Sequence, residues 1–297
     1  MRLATRASAL ALAQSGAVAK ALGGAELVEI TREREAGSAP DAVAGDKARF
    51  VRGVEEALLA GEADLGVHSA KDLPGNLLEG LELVGVTARQ DPLDAYVGEA
   101  ADLASVPRGA RVGTASLRRR SQLLAARPDL EVVELRGNVD TRLARLAAGE
   151  YDGIVLAAAG LARLGREDEI GFRFDPAQMT PAAGQGIVAL EARAGDEVAA
   201  GPARELTDRS ALIELTAECA AVAALGASCD TPVGIGASFA GAELELSGYA
   251  GLPDGGEWVR DGVRGDPEQP AALGEALAER MLAAGAGGIL ERAAAAA

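Results

Sequence analysis

The amino-acid sequence predicts an α/β protein of two lobes with a hinged cleft, followed by a small C-terminal α+β domain. Short apolar strands alternate with amphipathic helices from the N-terminus onward, which is the pattern of parallel sheets with crossover helices. Turn-rich segments at 86–94 and 179–186 interrupt this alternation twice. After about Arg204 the pattern changes again. We therefore expect the chain to cross between two lobes twice before it enters a third unit.

The first lobe is expected over residues 1–87 and 183–203. Ser8 precedes a helical pattern and is a suitable N-cap, because its hydroxyl can accept a free N–H of the first turn. The order strand, helix, strand predicts parallel pairing through right-handed crossovers. The expected strands are 2–5, 26–31, 64–68, 81–87 and 187–191, and the expected helices are 9–22 and 49–60.

The second lobe is expected over 88–182 and the C-terminal domain over 204–297. An α/β pair joined by two crossings resembles the periplasmic-binding-protein architecture, in which a cleft holds a small ligand, but fold alone leaves the ligand open. The alanines that end the chain are expected to be frayed. The second lobe should contain strands 111–113, 131–135 and 153–157 with helices from 116 and at 139–148, and the C-terminal domain strands 242–249 and 258–264 with helices 205–225 and 270–284.

Composition excludes several classes of protein. A formal net charge of -16 disfavours binding to nucleic acid, which needs a basic surface. No stretch approaches the roughly 20 apolar residues of a membrane span, and the N-terminus lacks the apolar segment of an export signal. One histidine and two cysteines support neither a disulfide framework nor a metal site. We expect a cytoplasmic protein without a metal ion or membrane partner.

One strand-end motif carries a paired cation and carboxylate. The segment 67–74 reads VHSAKDLP and follows a short buried strand, so Lys71 and Asp72 should lie where ligands collect in an open α/β sheet. An ordinary solvated turn would have the same spacing. His68 has no second histidine or serine partner and is interpreted as a strand-end hydrogen-bonding residue rather than part of a hydrolase triad.

Arginines gather at strand ends and helix starts. In GTASLRRR at 113–120 a strand leads directly into a helix whose free N–H groups favour an anion. Arginines in a first turn oppose the helix dipole, so they suggest a carboxylate or phosphate partner, although a solvated basic turn is the alternative. Guanidinium groups bind carboxylates through two parallel hydrogen bonds. The arginines at such positions are Arg6, Arg118, Arg119, Arg136, Arg142 and Arg163.

The two cysteines differ in their surroundings. Cys229 lies in a loop of small residues before a predicted strand, where a thiol is more accessible than on a helix. A buried inert thiol is the usual alternative for a lone cysteine. Cys219 lies on a helical pattern, where packing is a sufficient explanation.

Six motifs occur in the order in which porphobilinogen deaminases carry them, and together they cover nearly the whole chain. Several motifs in one order are far more specific than any single one. On these residues the sequence resembles the porphobilinogen deaminase family. The motifs are RLATRAS at 2–8, VHSAKDLP at 67–74, GTASLRR at 113–119, LRGN at 135–138, AGQG at 183–186 and CDTPVG at 229–234.

The resemblance implies a transferase, a hydroxymethylbilane synthase that joins four porphobilinogen molecules head to tail and releases ammonia. It implies a monomer with one dipyrromethane cofactor, attached to Cys229 through a thioether. Asp72 would be the catalytic residue, stabilising cationic intermediates beside the pyrrole N–H groups. The cofactor would also contact Lys71, Asp72, Ser116, Arg118 and Arg119. Substrate and growing chain would be bound by Arg6, Ser8, Lys47 in a lid-like loop, Thr114, Arg136, Arg142, Arg163 and Gln185.

The sequence departs from the family at four places. In the first lobe, the segment from Thr31 to Glu35, which includes Glu33, lacks the usual Thr-Arg-Gly-Asp. Arginine is frequent in the family at the positions of Leu93 and Cys219, and Gly-Gly is common at the position of Ala227-Ser228. These changes put the first-lobe loop contacts and the shape of the cofactor loop in question. A rival hypothesis is a non-catalytic two-lobed binding protein for a small carboxylate, which would explain the lobes and arginines but neither the loop cysteine nor the Lys71-Asp72 pair.

Overall fold

A computed structural model describes residues 1–30, 46–75, 77–228 and 231–295, with side chains of the second range from residue 51 onward. The chain divides into two compact units, Met1–Gln90 with Ile187–Leu212 and Asp91–Gly186 with Ile213–Ala297. The boundaries of three domains stay a prediction. Within the described ranges, no helix is long and apolar enough to cross a membrane.

The described residues form strands and helices in alternation. The strands are β1 (Arg2–Arg6), β2 (Glu26–Ile30), β3 (Leu65–Ser69), β4 (Leu81–Val86), β5 (Asp94–Gly98), β6 (Arg111–Gly113), β7 (Glu131–Val133), β8 (Gly153–Ala157), β9 (Ile170–Arg173), β10 (Val188–Arg193), β11 (Val233–Ala240), β12 (Glu243–Gly251) and β13 (Trp258–Gly265). The helices are α1 (Ala9–Ala21), α2 (Asp46–Leu59), α3 (Leu117–Ala126), α4 (Val139–Ala147), α5 (Ala158–Arg163), α6 (Glu197–Glu205), α7 (Arg209–Ala224), α8 (Pro270–Ala283) and α9 (Ala286–Ala295).

The first unit contains a five-stranded sheet in the order β2-β1-β3-β10-β4. β1 is parallel to β2 and β3, as the strand and helix alternation predicted, whereas β10 is antiparallel to both of its neighbours. Ser8 caps α1, its hydroxyl accepting the Ala11 N–H at 3.3 Å. Leu3, Leu65 and Leu190 are fully buried in the core beneath this sheet.

The second unit contains a sheet with the same topology, in the order β7-β6-β8-β5-β9. β6 is parallel to β7 and β8, and β5 is antiparallel to β8 and β9. In each sheet the antiparallel strand is the first one after a crossing. Ser116 caps α3 and Asn138 caps α4. The helices predicted to start at 116 and 139 are therefore confirmed.

The C-terminal residues form a three-stranded antiparallel sheet, β11-β12-β13, that packs against helices. Leu246, Leu277 and Met281 are fully buried between the sheet and α8. The predicted fold class of two α/β sheet units and a small α+β unit is therefore confirmed.

The helix expected over 205–225 is confirmed as α7 (Arg209–Ala224), but it begins four residues later than predicted, because residue 205 still belongs to α6. α6 is capped by Asp196 and contains Pro202, and α7 begins after a break at 206–208. The Asp208 carboxylate accepts the Ala211 N–H at 2.8 Å and so supplies a new N-cap.

Three further expectations need correction. β5 and β9 were not expected, since a strand that begins with a fully buried aspartate does not show an apolar pattern. The final alanines were expected to be frayed or disordered, yet α9 continues to Ala295 and Ala293 is buried, and the last two alanines lie outside the described residues. α2 begins at Asp46, so Lys47 lies in its first turn rather than in a loop. The departure at Thr31 to Glu35 lies outside the described residues.

Two helical glycines should respond oppositely to alanine. A Cβ at Gly274 in α8 would lie 2.1 Å from the Ala217 carbonyl oxygen, whereas one at Gly16 in α1 meets nothing within 4 Å. Gly274→Ala should lower the free energy of unfolding by about 1–3 kcal/mol or more through overpacking. Gly16→Ala should raise it by about 0.5–1 kcal/mol through helix propensity. Denaturant titration of both variants checks this, and an unchanged Gly274→Ala midpoint would contradict the close helix contact.

Candidate active site

The turn after β3 carries Lys71 and Asp72. Residues 70–72 form a single 3-10 turn in which the Leu73 N–H donates to the Ala70 carbonyl at 3.1 Å. The Ala70 N–H donates to the Ile187 carbonyl at 3.0 Å, which anchors the turn beside the start of β10. Both Lys71 and Asp72 are partly exposed. The predicted pair thus lies on a fixed backbone at the end of the first sheet.

Side chains behind this turn hold the end of β3. His68 Nε2 lies 2.9 Å from Glu191 Oε2, and both side chains are buried, which confirms His68 as a strand-end hydrogen-bonding residue. Gln14 Nε2 donates to Ser69 Oγ at 2.9 Å. Neither Gln14 nor Glu191 was predicted as a site residue from the sequence. The available signal for Gln14 was an amide on an otherwise apolar helix face, between Ala11 and Val18.

Arg118 and Arg119 converge on one buried carboxylate, that of Asp94. Arg118 donates through Nη1 to Asp94 Oδ2 at 2.6 Å and through Nη2 to Oδ1 at 3.2 Å. Arg119 Nε donates to Asp94 Oδ1 at 2.9 Å. The exposed fraction is 4% for Arg118, 6% for Arg119 and 0% for Asp94. A solvated basic turn, the alternative interpretation of these arginines, is therefore wrong.

Backbone carbonyls fix the same two guanidinium groups at a second point. Arg118 Nη1 donates to the Thr180 carbonyl at 2.7 Å, and Arg119 Nη1 donates to the Val155 carbonyl at 2.8 Å. The start of α3 is thereby tied to β8 and to the segment that precedes the second crossing.

Gln185 also belongs to this cluster. Its Nε2 donates to the Pro92 carbonyl at 2.6 Å and to Asp94 Oδ1 at 3.1 Å, and the residue is fully buried. Gln185 was predicted as a site residue, whereas Asp94 was not, because its position immediately after the substituted Leu93 shows no motif. Asp94 lies in the segment that enters the second unit, and Gln185 lies in the segment that leaves it.

Thr114 and Ser116 shape the first turn of α3. The Ser116 N–H donates to Thr114 Oγ1 at 3.2 Å, and the Ser116 hydroxyl accepts the Arg119 N–H at 3.4 Å. These hydroxyls satisfy backbone groups at a helix N-terminus, where the dipole also favours anions.

Arg136 and Arg142 flank the tight turn before α4. Gly137 has a φ of 114°, which favours glycine, and Arg142 Nε donates to its carbonyl at 2.8 Å. Arg136 is exposed, with Nε donating to Glu134 Oε1 at 2.7 Å. Both arginines thus belong to this turn of the second unit, Arg136 being exposed and Arg142 partly exposed.

Arg163 differs from the other arginines in its partner. Its Nη2 donates to the Gly186 carbonyl at 2.6 Å, and burial lowers the pKa of the guanidinium to about 10. Among the residues that the structure describes, no carboxylate forms an ion pair with Arg163. The group remains charged at neutral pH, and a ligand carboxylate would compensate its desolvation.

The remaining predicted residues lie elsewhere or are not described. Arg6 ends β1 and Ser8 caps α1 in the first unit. Cys229 and the Lys47 side chain lie outside the described residues. Cys219 is exposed on α7, so the expectation that packing explains it was wrong.

Fold and site together define the class of this protein. It is a two-lobed α/β protein that presents a carboxylate at the end of one sheet and guanidinium groups at the helix starts of the other. Residues 1–200 match the family model "Porphobilinogen deaminase, dipyromethane cofactor binding domain", and residues 212–283 match the model of the porphobilinogen deaminase C-terminal domain. The chain belongs to the porphobilinogen deaminase family.

Named relatives support this membership over the full length. The porphobilinogen deaminase of Roseiflexus castenholzii is 47% identical over 298 residues, covering 98% of each chain. That of Thermus thermophilus is 44% identical over 294 residues, covering 96% of each chain. The activity is that of a hydroxymethylbilane synthase, a transferase, and the chain contains a dipyrromethane cofactor-binding domain. The rival hypothesis of a non-catalytic binding protein is not favoured.

Solved structures give distant matches. The VFT2 domain of Bordetella pertussis BvgS is 18% identical, with a TM-score of 0.40 over 69% of this chain and 85% of that domain. A TRAP periplasmic solute binding protein from Desulfovibrio salexigens is 10% identical, with a TM-score of 0.40 over 70% of this chain and 72% of its own.

Arg163→Met should raise the thermal midpoint by about 1–3 °C, because it removes a desolvated cation that has a carbonyl partner but no carboxylate partner. Since the pKa in the fold lies below that of a free guanidinium, folding disfavours the charged form at every pH below about 10. Arg166→Met is the matched control, because Arg166 is a partly exposed residue paired with the carboxylates of Glu169 and Asp140. Calorimetry of the cofactor-free proteins checks this: the control should not raise the midpoint, and a lowered midpoint for Arg163→Met would contradict the prediction.

Proposed function

We propose that Asp72 is the catalytic residue and that the arginines of both units bind the carboxylates of porphobilinogen and of the cofactor. The observation that carries this proposal is the set of guanidinium groups withdrawn from water, buried in Arg118 and Arg119 and partly buried in Arg163, in a protein with a net charge of -16. Burying a cation costs stability, so an arginine withdrawn from water is expected to perform a task, and binding a polycarboxylate is such a task. Four substrate molecules would be joined head to tail in repeated steps.

The donors on the chain fit a dipyrromethane. A cofactor built from two substrate molecules carries acetate and propionate arms, and Arg163 lacks a carboxylate partner among the described residues. Lys71, Asp72, Ser116, Arg118 and Arg119 would hold the group, and Cys229 would attach it through a thioether. When bound, the dipyrromethane supplies the pyrrole carbon to which the first substrate is joined.

Asp72 would act electrostatically on the substrate. Loss of ammonia from the aminomethyl group of porphobilinogen breaks a C–N bond and leaves positive charge delocalised onto the pyrrole nitrogen. A fixed carboxylate close to that N–H stabilises the charge as it develops. The 3-10 turn supports this role, because its backbone is anchored through Ala70 and Leu73 and so needs little reorganisation.

The other predicted residues would divide between the two units. Lys71, Arg6, Ser8 and Lys47 in the first unit would bind substrate carboxylates. Thr114 and Gln185 would shape the site of the second unit, with Gln185 acting through its buried amide. Arg136, Arg142 and Arg163 would bind the carboxylates of later-arriving rings.

We further infer that the enzyme works as a cytoplasmic monomer, with porphobilinogen as its partner and without nucleic acid or membrane. The strongly acidic composition supports the exclusion of nucleic acid. Size-exclusion chromatography with light scattering tests the monomer directly.

The cysteine assignment predicts a difference between two variants. Cys229→Ser should fold and lack the added mass of two pyrrole units, whereas Cys219→Ser should keep it, because Cys219 lies on α7 outside the cofactor motif. Both changes remove one thiol, so each controls for the other. Intact mass spectrometry decides, and persistence of the added mass in Cys229→Ser would refute the attachment site.

The role of Asp72 predicts a loss of rate without a loss of fold. Asp72→Asn keeps the size of the side chain but removes its charge, so turnover of the loaded enzyme should fall at least about 100-fold. The thermal midpoint should change by less than about 2 °C because the residue is partly exposed. Glu79→Gln removes the same charge from an exposed position of this unit and should leave turnover unchanged. Near-normal turnover of loaded Asp72→Asn would exclude the residue from the mechanism.

A further inference from the structure

Arg118 and Arg119 are neighbours on α3, yet their guanidinium groups bind the same carboxylate. Successive residues of an α-helix point about 100° apart, so adjacent side chains do not face each other. Two like charges in a buried site also repel each other. Both groups nevertheless reach the carboxylate of Asp94, at 2.6 Å for Arg118 and 2.7 Å for Arg119. Asp94 is therefore the feature that holds the two cations together.

The position of this carboxylate is set by the sheet and not by a flexible surface segment. Asp94 begins β5, which lies between β8 and β9, and it is fully buried. Its backbone pairs with that of Ala157 in the antiparallel ladder, and Gln185 Nε2 donates to Oδ1. The carboxylate can thus act as a rigid reference point for the start of α3.

The contacts of Arg118 leave one edge of its guanidinium available. Nη1 donates to Asp94 Oδ2 and to the Thr180 carbonyl, and Nη2 donates once, to Asp94 Oδ1. Three of the five N–H groups are used in these contacts with described residues. The two that remain are Nε–H and one Nη2–H. These two N–H groups are parallel and form the side-on fork that binds a carboxylate bidentately.

We propose that Asp94 is a positioning residue that occupies the end-on edge of Arg118, joins it to Arg119, and thereby presents the Nε/Nη2 fork of Arg118 to one carboxylate of the cofactor. This inference rests on the proposed role of Arg118 in holding the dipyrromethane. Asp94 itself does not touch the ligand. It acts by fixing two guanidinium groups before binding, so that little orientation is lost when the carboxylate arrives.

The test compares Asp94→Asn with Asp129→Asn. Asp129 accepts Arg127 Nε at 2.7 Å and Nη2 at 2.8 Å, so the control removes the same charge from a bidentate arginine pair of the same unit. Apoprotein is mixed with porphobilinogen, and intact mass spectrometry follows the appearance of the two-pyrrole adduct. Asp94→Asn should load at least tenfold more slowly than wild type, and Asp129→Asn should load within twofold of it.

A second readout separates positioning from stability alone. Loading should raise the thermal midpoint of wild type and of Asp129→Asn by the same amount, because both retain the ligand contacts. The rise should be at least halved in Asp94→Asn. A residue that only stabilises the fold would lower the midpoints of loaded and unloaded protein equally and leave the rise unchanged.

Two backgrounds complete the test. The Arg119→Met background keeps a single guanidinium in the cluster, so the effect of Asp94→Asn can be measured in it even if the single variant Asp94→Asn does not fold. In this background Asp94→Asn should again slow loading at least tenfold. In the Arg118→Met background, Asp94→Asn should slow loading by less than threefold, because the guanidinium that Asp94 positions is absent. An equal slowing in the Arg118→Met background, or wild-type loading of Asp94→Asn, would overturn the inference. Absence of the adduct in wild type would instead refute the proposed function.

Discussion

The sharing of one buried carboxylate by two arginines is the constraint on which the second unit depends. The Asp94 carboxylate lies at the start of a strand, its guanidinium partners at the start of a helix, and those partners also bind carbonyls of Val155 and Thr180. A strand, a helix start and the segment before a crossing are thus joined through one charge. Breaking a buried pair by removing one partner leaves an uncompensated charge, which costs about 3–5 kcal/mol. A small shift of the Asp94 carboxylate would therefore displace the contacts of all three elements.

Arginines of this protein belong to two energetic classes. Arg136 is exposed and paired with Glu134, and such surface pairs contribute about 0–1 kcal/mol because water screens them. Arg118, Arg119 and Arg163 are largely removed from water, so their interactions with a carboxylate are much stronger. Strong binding is thus concentrated in a few positions of a chain whose overall charge repels polyanions.

The sequence predicted those parts of the fold and site that are local. The helix starts at Ser8, at 116 and at 139 were predicted, because a cap depends on residues within one turn. Asp94 was missed since its partners lie 24 and 25 positions away, and a buried aspartate looks like a loop residue in a hydropathy pattern. The start of α7 was predicted four residues early, because the short break at 206–208 does not interrupt the helical pattern of the sequence. Long-range pairing therefore marks the limit of what the pattern could reveal.

The delivery of β10 to the first sheet has a consequence for synthesis on the ribosome. Among the described strands β4 borders only β10, and β10 follows it by about 100 residues, after all five strands of the sheet β7-β6-β8-β5-β9. At roughly 5–20 residues per second, the nascent first sheet would wait roughly 5–20 s with β3 unprotected at an open edge. The first sheet would then be complete only when β10, which lies beyond the middle of the chain, has been synthesised. Chaperones that shield exposed strand edges would have their longest opportunity to act during that interval.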